Sequence, residues 1–246
     1  MSLRDSSSAG RQESGENQFR SLPLGSYAMD HWASHARFED VASRIEDSLV
    51  CLFDPKMPYF KPRILLRCIQ DIHHIYPACF YDQSDNMTPL FLAAFCGFSG
   101  LAKHLIITHA LDVNAGCVHD ITPLHGASSS RQVDLARVLL DNGAHMNAQD
   151  SCNFTPLHYA SSHGHLKVAH LLLERGANSK GRTNEQDTPL CKALQYGYLK
   201  MVRVLLDHRV DVTIQGRRGL TPYQIATENQ HRDIAQLLSE HRAERK

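Results

Sequence analysis

The chain has 246 residues, with 26 Lys and Arg against 26 Asp and Glu, and seven cysteines. The charge balance excludes the general basic excess of a nucleic-acid surface, and no stretch approaches the roughly 18 apolar residues of a membrane span. An odd cysteine count without a CxxC pair argues for reduced thiols in an intracellular protein, cytoplasm ahead of nucleus.

In chain order, residues 1–26 are rich in Ser, Gly, Gln and Arg and poor in large apolar groups. They are expected to be a disordered tail, without the apolar run of a signal peptide. Residues 27–82 are expected to form a helical linker that caps the repeats. Phe38, Val41, Ile45, Leu49 and Leu52 recur at three or four, the period of an amphipathic helix over 38–53. Pro55 and Pro58 end it. A second helix is expected from Pro62 to Ile75, with Pro77 behind it.

A Thr-Pro dipeptide then returns at Thr88, Thr122, Thr155, Thr188 and Thr221, at spacings of 34, 33, 33 and 33 residues. A fixed period in this range marks a solenoid of stacked units. The reading is a repeat domain over 83–246 of about five repeats, the last a C-terminal cap. Each Thr-Pro suits a helix start, because proline lacks the N–H that would be orphaned there and the Thr hydroxyl caps another. A glycine turn, a second helix such as VAHLLL, a second turn and an extended finger follow. Arg131 and Gln230 stand where the first turn has glycine elsewhere, and Arg209 where the second has it. These turns either shorten or hold a left-handed residue. Asn86, Asp120, Asn153, Gln186 and Gly219, two before Thr, are expected to be left-handed, with Gln186 the unusual member. The extra residue of the first repeat is expected to bulge near Thr108–Asp112, between second helix and finger. The sequons at Asn86 and Asn153 use the repeat's own Thr and are read as accidents.

Three residues after each Thr stand Phe91, His125, His158, Cys191 and Gln224. A zinc site needs four donors converging at about 2.1 Å. This column changes chemistry between layers roughly 10 Å apart, so the imidazoles are expected to link the turn by hydrogen bonds to Thr or finger backbone. No metal, cofactor or catalytic residue is assigned, and none of the common catalytic or phosphate-binding motifs occurs.

Partner contacts are expected on the concave face, from finger tips and first helices. One before Thr stand Met87, Ile121, Phe154, Asp187 and Leu220, mostly apolar. Phe95, His163 and Tyr196, seven or eight after Thr, are suitable anchors. Residues 30–54 hold six Asp or Glu against two Arg, and residues 175–218 hold nine Lys or Arg against four Asp or Glu. Arg217 and Arg218 at the basic end suit acidic partner groups.

The phrases TPLHGASSSRQVDLARVLLDNGAHMNAQD and TPLHYASSHGHLKVAHLLLERGA closely resemble ankyrin repeats, over about residues 84–242. The resemblance implies an all-α solenoid of helix pairs with β-finger turns and a non-catalytic scaffold binding another protein on its concave face. It places recognition on Met87, Phe95, Ile121, Phe154, His163 and Tyr196. Residues 22–60 look like the helical linker before ankyrin repeats in fungal NACHT-type proteins, through Tyr27, Ala28, Trp32, His35 and the stretch Asp54 to Phe60. That resemblance implies, as an alternative, the sensor arm of such a signalling system, though no P-loop is present. A hydrolase or transferase is the remote third class, kept because hydroxyl, imidazole and thiol groups abound.

Overall fold

The computed structural model describes residues 88–244, without the side chains of Val118, Ala243 and Glu244. The expected tail, the linker with its two helices, Asn86 and Met87 lie outside the described residues. The described residues fall within one unit, Met87–Lys246.

Ten α-helices occur among the described residues, in five antiparallel pairs. They are α1 Pro89–Cys96 and α2 Ser99–His109, α3 Pro123–Ser129 and α4 Val133–Asp141, α5 Pro156–Ser162 and α6 Leu166–Glu174, α7 Pro189–Gln195 and α8 Leu199–Asp207, then α9 Pro222–Glu228 and α10 Arg232–Glu244. First helices stack on first helices and second on second along the array.

Each first helix starts as the Thr-Pro pattern requires. Thr88, Thr122, Thr155, Thr188 and Thr221 are extended N-caps with φ of −76°, −84°, −99°, −89° and −71°, and proline follows each. Leu90, Leu124, Leu157 and Leu190 in the first helices, and Leu105, Leu139, Leu172 and Leu205 in the second, are at most 1% exposed. Burial of each stabilises by about 1.5–3 kcal/mol. Small residues Ala93, Ala127, Ala160, Ala193 and Ala226, all 0% exposed, let neighbouring helices approach.

The turns keep their geometry where glycine is lost. Arg131, Gln230 and Arg209 are left-handed at φ 65°, 62° and 56°, so the turns strain rather than shorten. Gly164 shows why glycine suits the first turn, since a Cβ there would stand 3.0 Å from the Tyr198 ring of the next repeat. Asp120, Asn153, Gln186 and Gly219 are all left-handed, at φ 59°, 60°, 68° and 69°.

The extra residue is placed differently from expectation. It is absorbed inside the last turn of α2, which runs 11 residues where α4, α6 and α8 run nine. The closing bond of α2, Leu111 N–H to Leu105 carbonyl, therefore spans six residues, whereas Ala144 to Leu139 spans five. A helix extension keeps backbone polar groups bonded that a free bulge would leave open.

The fingers are turns, with no strand among the described residues. Each closes by one bond across five residues: Cys117 to Ile121 at 2.9 Å, Asp150 to Phe154 at 3.0 Å, Thr183 to Asp187 at 3.0 Å and Gly216 to Leu220 at 2.9 Å. Neighbouring fingers are linked by Ser151 N–H to His119 carbonyl at 2.9 Å and Asn184 N–H to Cys152 carbonyl at 3.0 Å.

Candidate interaction surface

The histidines after Thr are structural links. Thr122 N–H donates to His125 Nδ1 at 3.1 Å, and Nε2 lies 3.1 Å from the Phe154 carbonyl in the next finger. His158 repeats this with Thr155 N–H at 3.1 Å and the Asp187 carbonyl at 3.1 Å. An Nδ1 that receives a backbone N–H has no proton, and an Nε2 facing a carbonyl must carry one. Both rings are therefore neutral Nε2–H tautomers. Burial pushes His125 below the usual imidazole range and His158 down to about 4. Burial also lowers His165, whose Nε2 donates to the Ser129 carbonyl at 2.9 Å.

At the fourth repeat this device changes. Cys191 replaces the imidazole, accepts from the Thr188 hydroxyl at 3.3 Å, and has its thiol pushed up by burial. The forward link passes to Asp187. Its Oδ1 accepts Arg217 N–H at 3.0 Å and its Oδ2 pairs with Lys192 Nζ at 2.8 Å. The Lys192 ammonium also stands 5.0 Å from the Phe154 ring centroid and 3.5 Å from Glu185. The finger fits this closely because of Gly216, where a Cβ would lie 2.8 Å from both Asp187 Oδ1 and Cys191 Sγ. Asp150 shapes the preceding finger, accepting Cys152 N–H at 2.9 Å, Phe154 N–H at 2.8 Å and the Tyr159 hydroxyl at 2.8 Å.

The residues assigned to partner contact divide by exposure. Tyr196 is 54% exposed and stacks on Tyr198 with centroids 6.2 Å apart. Phe154 is half-buried, its ring 5.7 Å from both His158 and Tyr159. His163 is half-buried, with Nδ1 donating to the Tyr159 carbonyl at 2.8 Å. Arg217 is half-buried and Arg218 exposed, the latter left-handed at φ 59°. Phe95 and Ile121 correct the expectation of outward-facing side chains. Phe95 is 6% exposed beside Phe91, with centroids 6.1 Å apart, and Ile121 is 3% exposed. Both fill the interior, because the stack closes over apolar groups that a single repeat leaves open.

Sequence reasoning missed the roles of Asp187 and Lys192. The signal was the single acid in an otherwise apolar column, with a lysine five residues on. Among the described residues no group of three or more His, Cys, Asp or Glu is placed to hold a metal ion. No helix among them is long and apolar enough to cross a membrane.

Comparison with known proteins agrees with this geometry. Residues 124–173 match one family model described as ankyrin repeats (many copies), and residues 172–226 match a second of the same description. Human neurogenic locus notch homolog protein 1 is 45% identical over 69 residues, 27% of this chain and 3% of that protein. Alpha-latrocrustotoxin-Lt1a of Latrodectus tredecimguttatus is 38% identical over 65 residues, 26% of this chain and 5% of the toxin. Palmitoyltransferase akr1 of Schizosaccharomyces pombe is 40% identical over 62 residues, 25% of this chain and 10% of that enzyme. The chain thus spans a tenth or less of each of these relatives. The NACHT-type resemblance rests on residues 22–60, outside both family matches and outside the described residues.

Proposed function

We propose, from the premise that the described helix pairs stack as ankyrin repeats, that the chain is a non-catalytic scaffold holding another protein on its concave face. The observation that carries this reading is the exposure of Phe154, His163 and Tyr196, two half-buried and one exposed. All three keep ring surface open to solvent while their neighbours hold them in fixed positions. Aromatic rings held this way bury large area on docking at little entropic cost. Cys152 and Cys191 are free thiols, which suits work in the cytoplasm. The last pair presents Tyr223, Arg232 and Ser239 where earlier repeats carry mostly leucine or valine, as an end cap requires.

The test is site-directed photocross-linking in cells. A photoreactive residue at position 196 is expected to give a discrete adduct with one protein, lost on Phe154→Ala with His163→Ala. The same residue at position 203, on the outer face of α8, is expected to give none. An adduct at 203 that survives without one at 196 would put recognition on the opposite face.

A further inference from the structure

The last two fingers differ from the earlier ones in their charge. Fingers 112–121 and 145–154 contain no Lys or Arg, whereas 178–187 and 211–220 contain Lys180, Arg182, Arg217 and Arg218. Three of these four are exposed and Arg217 is half-buried. The same two fingers hold three carboxylates, and each is already engaged. Asp187, 2% exposed, is taken by Lys192 and by the Arg217 amide. Glu185 stands 3.5 Å from that same Lys192. Asp211 accepts the Thr213 amide at 2.9 Å and its hydroxyl at 2.6 Å. Among the described residues, no carboxylate forms an ion pair with any of the four cations.

The cations are also mounted firmly. The Asp187 carboxylate fixes the backbone at Arg217. Arg218 and Gly219 are successive left-handed residues, the turn pattern that projects a tip outward. Arg182 Nη1 donates to Gln186 Oε1 at 3.0 Å, which orients its guanidinium and leaves its other donors open. Half-buried Leu220 follows Arg217 and Arg218 in the same finger.

The geometry points to an acidic peptide segment of the partner as the occupant of these two fingers, Arg182, Arg217 and Arg218 receiving its carboxylates. This rests on the concave-face reading and names the chemistry of what sits there. Guanidinium groups bind carboxylates through paired parallel bonds, which gives register as well as attraction. A nucleic acid fits less well. Its phosphate backbone gains from a long basic stripe, whereas these cations occupy two layers about 10 Å apart and are interleaved with Glu185.

The test is fluorescence anisotropy on the full chain with a labelled oligoglutamate peptide, alongside oligolysine and oligouridylate. Oligoglutamate is expected to bind, and to bind less tightly as salt is raised. Arg217→Glu with Arg218→Glu is expected to weaken it about tenfold or more, with an unchanged circular dichroism spectrum. Should that double variant fail to fold, Lys180→Glu with Arg182→Glu reads the same surface. No binding of oligoglutamate, equal binding after charge reversal, or tighter binding of oligouridylate each overturns the proposal. The cross-link at position 196 separates the two readings. A cross-link that persists without oligoglutamate binding removes the acidic class alone. Arginine-dependent oligoglutamate binding without that cross-link removes the wider groove.

Discussion

Asp187 and Lys192 form an ion pair of 2.8 Å with side chains 2% and 7% exposed. Removing one partner strands the other away from water, which costs several kcal/mol, whereas replacing both by apolar groups is often neutral. Asp187→Ala is therefore expected to lower stability by roughly 3 kcal/mol and to loosen the Arg217 finger. Asp187→Leu combined with Lys192→Met is expected to recover most of that loss. Urea unfolding of Asp187→Leu, Lys192→Met and the double variant measures the coupling. Additive losses would show that the pair carries no shared energy.

His158 gives a pH dependence whose sign follows from its environment. Its folded value is lowered to about 4 from 6.5, chiefly by burial. Between these values the unfolded chain binds the proton and the folded chain does not. Stability is then full above the unfolded value and falls as pH drops through 6.5 toward 4, by about 3 kcal/mol for this ring alone. His125 and His165 are shifted the same way and act in the same direction. Urea midpoints at neutral pH and near pH 5 check this. His158→Gln is expected to flatten the profile, because the Gln224 Oε1 already accepts Thr221 N–H at 2.9 Å in the same column.

The worn turns offer a gain. Arg131 and Arg209 pay the left-handed backbone cost that glycine avoids, so Arg131→Gly and Arg209→Gly are each expected to add about 1 kcal/mol. Thermal unfolding of the two single variants reads this. A loss in either would mean that the arginine side chain holds more than its backbone costs.

Core packing and grading along the array make a further pair of expectations. Leu157 is 1% exposed, and Leu157→Ala is expected to cost roughly 2–5 kcal/mol. Amide hydrogen exchange is expected to be slowest in α3 to α6 and fastest in α9 and α10, since terminal repeats have a single neighbour. Uniform protection through Arg242 would contradict a graded array.

What the sequence shows well is whatever a single repeat decides by itself. The Thr-Pro caps, the left-handed residues before Thr and the linking role of His125 and His158 follow from short local patterns, and the structure has them where expected. What it shows poorly depends on the neighbouring layer. Phe95 and Ile121 read as surface groups because nothing local reveals what stacks over them. The Asp187–Lys192 pair needs Gly216, some thirty residues on, to leave room for the Asp187 carboxylate. The extra residue is legible near Thr108 to within a few positions, but its absorption into α2 depends on which carbonyl closes the turn.

The imidazole links also give the array a direction. His125 and His158 each reach forward, to a carbonyl supplied by the following finger. For these two rings each unit is finished by its successor, whereas His165 reaches back to the Ser129 carbonyl. Cutting the array between Thr155 and Asp187 strands the His158 ring, while cutting it between Ser129 and His165 strands the His165 ring. Cys191 makes no forward reach, and at the seam before the last unit that dependence passes from an imidazole to the Asp187 carboxylate. The final helix pair is held there by the Asp187 carboxylate on Arg217 N–H and by His231 Nε2 at 3.4 Å from the Gln195 carbonyl, so its loss would break both.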